Sequence, residues 1–156
     1  MNEFTLKNFE MTRRFFLRNV DGLDEGILDV QPEGFNNTIR WQIGHVLTVT
    51  EQFMMGFPKK SSYLPEKYLD LFGKGTRPSE WSGEVPSLSE LVEHLKNQVD
   101  RLQQIPSEAY NQVLTKPFLG LETFGELANM AAFHEANHLG QIQSMKKIVQ
   151  NAIVNK

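Results

Sequence analysis

Cysteine is absent from the 156 residues, which removes disulfides, thiolate metal sites and a cysteine nucleophile. A small secreted protein would usually lean on disulfides, so the expected setting is cytoplasmic. No apolar run approaches the roughly 20 residues that span a bilayer. The N-terminal stretch MNEFTLKNFEMTRRFFLRN carries acids and no long apolar core, unlike a signal peptide. An excess of basic charge is missing too. The net charge is −3, and phosphate binding needs a concentrated basic surface, so neither nucleic acid nor membrane is an expected partner. Arg13, Arg14 and Arg18 form the only basic cluster, read as the solvated side of the first helix. Internal repeats and low-complexity tracts are lacking. β-Branched residues are scattered and do not mass into alternating runs, so the expected class is all-α.

What is present is helical periodicity with clear punctuation. The first helix is expected over about residues 4–19. A second follows over about 39–55, capped by Asn37 or Thr38. Gly56, Pro58, Pro65, Gly73, Gly75, Pro78, Gly83 and Pro86 then interrupt the chain, leaving room for a short helix near 65–72. A third helix starts at Ser87 with Glu90 and reaches about 105. A fourth starts at Thr123 with Glu126 and reaches about 150, both pairs having capping-box spacing. Pro106 and Pro117 bound an irregular stretch between the last two. The expectation is one domain over residues 1–156, a four-helix bundle with a long connection between helices 2 and 3. Loops beyond about 15 residues are uncommon and often functional. The aromatics Tyr63, Tyr68, Phe72 and Trp81 suit a cover packed over one end of the bundle, and a crossover between parallel helices suits the length equally.

Two of the four histidines, His134 and His138, lie one helical turn apart on the last helix. They fall within the stripe Phe124, Leu127, Ala131, Ile142, Met145 and Val149, so both imidazoles are expected to face the core. Buried imidazoles need partners for both nitrogens, and each orphaned polar group costs roughly 1–3 kcal/mol. A shared divalent cation would satisfy both; neighbouring core side chains are the alternative. His45, at the edge of the stripe Ile39, Ile43, Val46, Val49, Thr50 and Phe53, is the natural third ligand. His94 lies off the Leu88, Leu91, Leu95, Val99, Leu102 stripe and reads as surface.

Residues 134–138 also match H-E-x-x-H, the metalloprotease helix whose glutamate is a general base. That class takes its third ligand from downstream, where residues 139–156 hold neither histidine nor acid. Glu135 remains a candidate to approach a metal-bound water, with a salt bridge or a solvent position as its other fates. Three nitrogen ligands leave an open coordination position, the arrangement of catalytic zinc sites. Gln42 and Gln141, one turn from His45 and His138, are candidates to orient a ligand or touch a substrate. Because ligand histidines bind deprotonated, metal affinity is expected to fall below about pH 6.5.

Thr38-Ile39-Arg40-Trp41-Gln42-Ile43-Gly44-His45, then His134-x-x-x-His138-Leu139-Gly140-Gln141-Ile142, resemble the DinB/YfiT-like superfamily over nearly the whole chain, including Phe72-Gly73-Lys74-Gly75 in the middle connection. The resemblance implies a four-helix bundle, usually a homodimer. It implies one divalent ion, zinc or nickel, on His45, His134 and His138. It also implies, for some members, transfer of a low-molecular-weight thiol to an electrophilic small molecule and, for others, hydrolysis. The alternative is a non-catalytic metal-binding or stress-response bundle in which the ion serves stability.

Overall fold

A computed structural model describes residues 2–57, 59 and 61–155. Four long helices carry the fold: α1 (Asn2–Val20), α3 (Ile39–Met54), α5 (Leu88–Gln103) and α6 (Phe124–Val154). Between them lie two short helices, α2 (Glu25–Leu28) and α4 (Lys67–Phe72), and a hairpin of β1 (Val113–Phe118) and β2 (Leu121–Thr123). The caps read from sequence are in place. The Thr38 hydroxyl accepts from the Trp41 amide, Ser87 accepts from the Glu90 amide, and Thr123 with Glu126 closes a reciprocal capping box.

Around the bundle, α1 packs on α6 and α5, and α3 packs on α6 and α5. Contacts of α3 with α5 and its lead-in advance together along both segments: Arg40 with Pro86, Leu47 with Gln98, Glu51 with Arg101. These two helices are therefore parallel, and the long connection is a crossover. It packs along the flank of α3 instead of over an end. Tyr68 and Phe72 are buried there, while Tyr63 is exposed beneath the Arg101 guanidinium. Pro58, one of the residues that punctuate this connection, lies outside the described residues.

α3 is buried on every side from Ile39 to Glu51, because α4, α5 and α6 all pack on it. The core splits into two apolar clusters, one around Phe16, Ile43, Phe72, Leu91 and Ile142, the other around Phe9, Met54, Leu102, Tyr110 and Ala131. Between them runs a polar seam. Arg13 binds Glu135 through Nε (2.6 Å) and Nη2 (3.0 Å) and donates to the Leu95 carbonyl and to Gln98 Oε1. Gln98 in turn donates to Glu51 Oε2 at 2.7 Å, and Glu51 receives Arg101 through two bonds. The expectation that Arg13 belongs to a solvated basic face is therefore corrected: the residue is 1% exposed and Glu135 is 0%. Buried charges persist only when paired and fully hydrogen-bonded, and this seam meets both conditions.

The hairpin was not expected. Its turn places Leu119 at φ 52 and Gly120 at φ 82, positive values at both central positions as tight hairpins require. Among the small residues of α6, Ala128, Ala131 and Ala132 are buried within the bundle. Gly140 faces outward, where an added Cβ would meet nothing. No helix of the described residues is long and apolar enough to cross a membrane.

Candidate metal centre

Contacts between α3 and α6 run in opposite senses, Gln42 with Gln141 and His45 with His134, so the helices are antiparallel and His45 stands opposite the histidine pair of α6. His134 Nε2 lies 3.2 Å from His45 Nε2 and 3.1 Å from His138 Nε2. One ligand-capable atom from each residue lies within 4.8 Å of the others. His45 and His138 are buried and His134 is half-buried.

The second nitrogen of each ring decides what the first can do. His45 Nδ1 lies 2.7 Å from the Phe72 carbonyl oxygen, which only accepts, so Nδ1 carries the proton. His138 Nδ1 donates likewise to Gln42 Oε1. The Gln42 amide is fixed by its own donation to Gln141 Oε1 (2.8 Å) and Asn37 Oδ1 (2.9 Å). His45 and His138 therefore both aim Nε2 lone pairs at His134.

No tautomer of His134 satisfies the cluster by itself. With a proton on Nε2, it faces two acceptors with one hydrogen. With a proton on Nδ1, three lone pairs face one another. Nδ1 of His134 is in either case a buried atom without a partner among the described residues. The Phe72 carbonyl and the Gln42 side chain account for the outer nitrogens of His45 and His138 but not for the inward ones. A cation at the convergence point does, and three neutral imidazoles suit a divalent transition metal.

Burial, aided by the neighbouring His45, pushes His134 down to about 4. Burial with His134 and His45 pushes His138 down to about 3. Burial lowers His45 as well, against the bond to Phe72. All three rings are thus neutral at pH 7 and ready as ligands, and proton competition at the folded site begins well below the pH 6.5 of free imidazole.

In the metal-free protein the three rings make stability depend on pH. These groups have folded pKa values below their unfolded ones, so the unfolded chain takes up protons first as pH falls. The stability they allow is intact above about pH 6.5 and is lost progressively toward pH 3. Urea midpoints measured from pH 7.5 to 4.5 should fall steadily below 6.5. A midpoint that is flat to pH 5 would mean that the rings are solvated.

Trp41 stacks on His45 with ring centroids 4.4 Å apart and planes at 13°. Its Nε1 donates to Thr76 Oγ1 at 2.9 Å, tying the ring to the crossover. Gly44 is the reason the crossover can approach: a Cβ there would collide with the Phe72 ring. From sequence, Asn37 reads as a cap candidate, Phe72 as a cover aromatic and Trp41 as a motif residue, none of them with a part at the histidines. For Phe72 the working atom is a backbone carbonyl, which leaves no residue-type signal.

The other candidates fall out differently. Gln42 and Gln141 form the chain that holds His138, so their place is to position it. Glu135 points into the polar seam and is committed to Arg13, away from the inward nitrogens; of its expected fates the salt bridge is the one seen. His94 is half-buried on α5, with its ring against Tyr68 at 5.7 Å.

Comparison with known proteins supports the same frame. No curated protein matches the chain. A solved structure described as the conserved protein of locus from Enterococcus faecalis matches with a TM-score of 0.66 at 14% identity, covering 97% of this chain and 98% of that one. At that identity it shares the fold alone. The family described as the DinB superfamily, a metal-binding group, matches residues 8–142. With a histidine triad that can hold a metal set between two antiparallel helices of such a bundle, the chain belongs to the DinB superfamily.

Proposed function

We propose that this protein is a metal-dependent enzyme. It would hold one divalent ion, zinc or nickel, on His45, His134 and His138 and transfer a low-molecular-weight thiol to an electrophilic small molecule, in a cytoplasm where such thiols stay reduced. The observation that carries this is the convergence of the three inward nitrogens, two of which have their outer protons committed to Phe72 and Gln42. A bound ion with an open position supplies a lowered pKa to a thiol or a water molecule. The residues do the rest. Phe72 and Gln42 hold the rings in one tautomer, Gln141 steadies Gln42, and Trp41 shields one face of His45 from solvent. Hydrolysis, with water in place of the thiol, is the close variant.

The test compares metal-free protein with zinc- and nickel-reconstituted protein. Both are offered chlorinated and epoxide substrates with several thiols, and products are read by mass spectrometry. Thiol conjugates that need the metal are expected. Water-derived products alone would select the hydrolase variant. Turnover in neither form would leave the non-catalytic reading, in which the ion serves the bundle. One observation favours that second reading: none of the three histidines lines the cleft beside α3 formed with Leu64, Pro65 and α4.

We propose further that two copies of the chain pair through the outward face of α6. Phe133 and Ile148 are exposed there and Gly140 leaves open space between them. Light scattering after size exclusion should give twice the 17.9 kDa chain mass.

A further inference from the structure

Beyond the triad, α3 borders a partly open cleft. A cleft of about 430 Å³ lies between α3 and the 61–70 segment of the crossover, within the range of about 300–1,000 Å³ usual for small-molecule sites. Its α3 wall is Thr48, Glu51 and Gln52, beginning one helical turn past His45.

The chemistry of the lining is one-sided. Glu51, Glu66 and Asp70 all face it, with no lysine, arginine or histidine among the described residues of its lining. Glu66 and Asp70 are exposed, four residues apart, and have no ion pair among the described residues. Glu51 is buried and already paired with Arg101, which leaves Glu66 and Asp70 as the unpaired charges. Burial opposes its charge, but hydrogen bonds from Arg101, Gln98 and Ser61 outweigh that and hold the carboxyl below its ordinary range. Leu64 and Leu69 supply an apolar floor.

A second, independent feature is Thr48. The residue is 2% exposed and lines the cleft, and its hydroxyl has no hydrogen-bond partner among the described residues. Stranding a buried hydroxyl costs roughly 1–3 kcal/mol, a cost that a ligand N–H donating to Thr48 Oγ1 would offset.

We propose that this cleft binds a small aliphatic amine, separately from the triad. An ammonium group meets Glu66 and Asp70 at the mouth. A methylene stem lies along Leu64 and Leu69, and an inner amine reaches Thr48. The carboxylates disfavour an anion. A neutral diol of equal length leaves them unpaired.

The test is calorimetric titration of the metal-free full chain with spermidine at physiological salt, with 1,8-octanediol as the neutral control. Saturable binding of spermidine is expected, and none of the diol. Thr48→Val keeps the side-chain shape and should weaken spermidine by about 5-fold, the loss of one buried hydrogen bond. Glu66→Gln with Asp70→Asn changes only exposed residues and should weaken it by about 10-fold. His45→Ala should leave spermidine binding unchanged, so failure of the metal reading and failure of this one are told apart. Three results would overturn the proposal: no saturable heat, equal binding of the diol, or spermidine binding that both variant sets leave intact.

Discussion

Replacing His45 by alanine is expected to lower divalent-metal affinity by more than about 100-fold, beyond the 10–100-fold typical for loss of an outer partner of a metal ligand. The substitution removes one of three inward nitrogens, and the structure offers no substitute. Glu135 is turned into the polar seam, and no other histidine, aspartate or glutamate joins the triad among the described residues. His134→Ala and His138→Ala should behave alike. Gln42→Ala should fall in the outer-partner range, since it frees His138 Nδ1 without removing a ligand. His94→Ala should leave affinity unchanged, because His94 lies on α5 with its ring against Tyr68 of α4. Chelator competition gives the affinities, and Trp41 emission offers a direct signal through its stack on His45. If His94→Ala abolished binding and His45→Ala were silent, the ion would sit elsewhere in the fold. If all four histidine variants were silent, the triad would not be a metal site.

Arg13→Met should be strongly destabilising, by about 3–5 kcal/mol, or a fall in Tm on the order of 10 °C. It leaves the Glu135 carboxylate buried without its cation and strips donors from Gln98 and the Leu95 carbonyl. Glu135→Met should cost a similar amount by the converse route. The double variant should recover much of the loss, because a buried ion pair exchanged for apolar side chains of similar volume is often close to neutral. Urea unfolding of the four species closes the cycle. A cost below 1 kcal/mol for Arg13→Met would put the guanidinium in solvent. Metal affinity separates the seam from the triad: Glu135→Gln should leave it nearly intact, whatever it does to stability.

The same residues show what can be read from sequence and what cannot. His134 and His138 stood out because two imidazoles fell within an apolar stripe, and the caps at Ser87 and Thr123 because a hydroxyl and an acid stood three apart. Arg13 was legible by the same rule, since Phe9, Arg13, Phe16 and Val20 follow one another at helical spacing on the buried face of α1. A basic triplet drew attention to charge and away from register. Gln98 and Glu135 hide the same way within the buried faces of α5 and α6. The hairpin was illegible for another reason. Its turn uses Leu119 where asparagine or glycine is usual, Pro117 interrupts β1, and β1 and β2 lack a clean alternation of buried and exposed positions. His45 looked like a boundary residue because an amphipathic helix was assumed, and α3 is wrapped on all sides.

Gly44 sets a limit on how this protein can be improved. In a buried helix, alanine normally gains about 1 kcal/mol over glycine, so a stabilising redesign would choose position 44 early. Here the methyl would occupy the space of the Phe72 ring. The same residue supplies the carbonyl that fixes the His45 tautomer, so pushing the crossover away to make room would lengthen that bond. Positions 44 and 72 are therefore exchangeable only as a pair, a larger residue at one requiring a smaller one at the other, and a search that varies one site at a time would never cross between the two solutions.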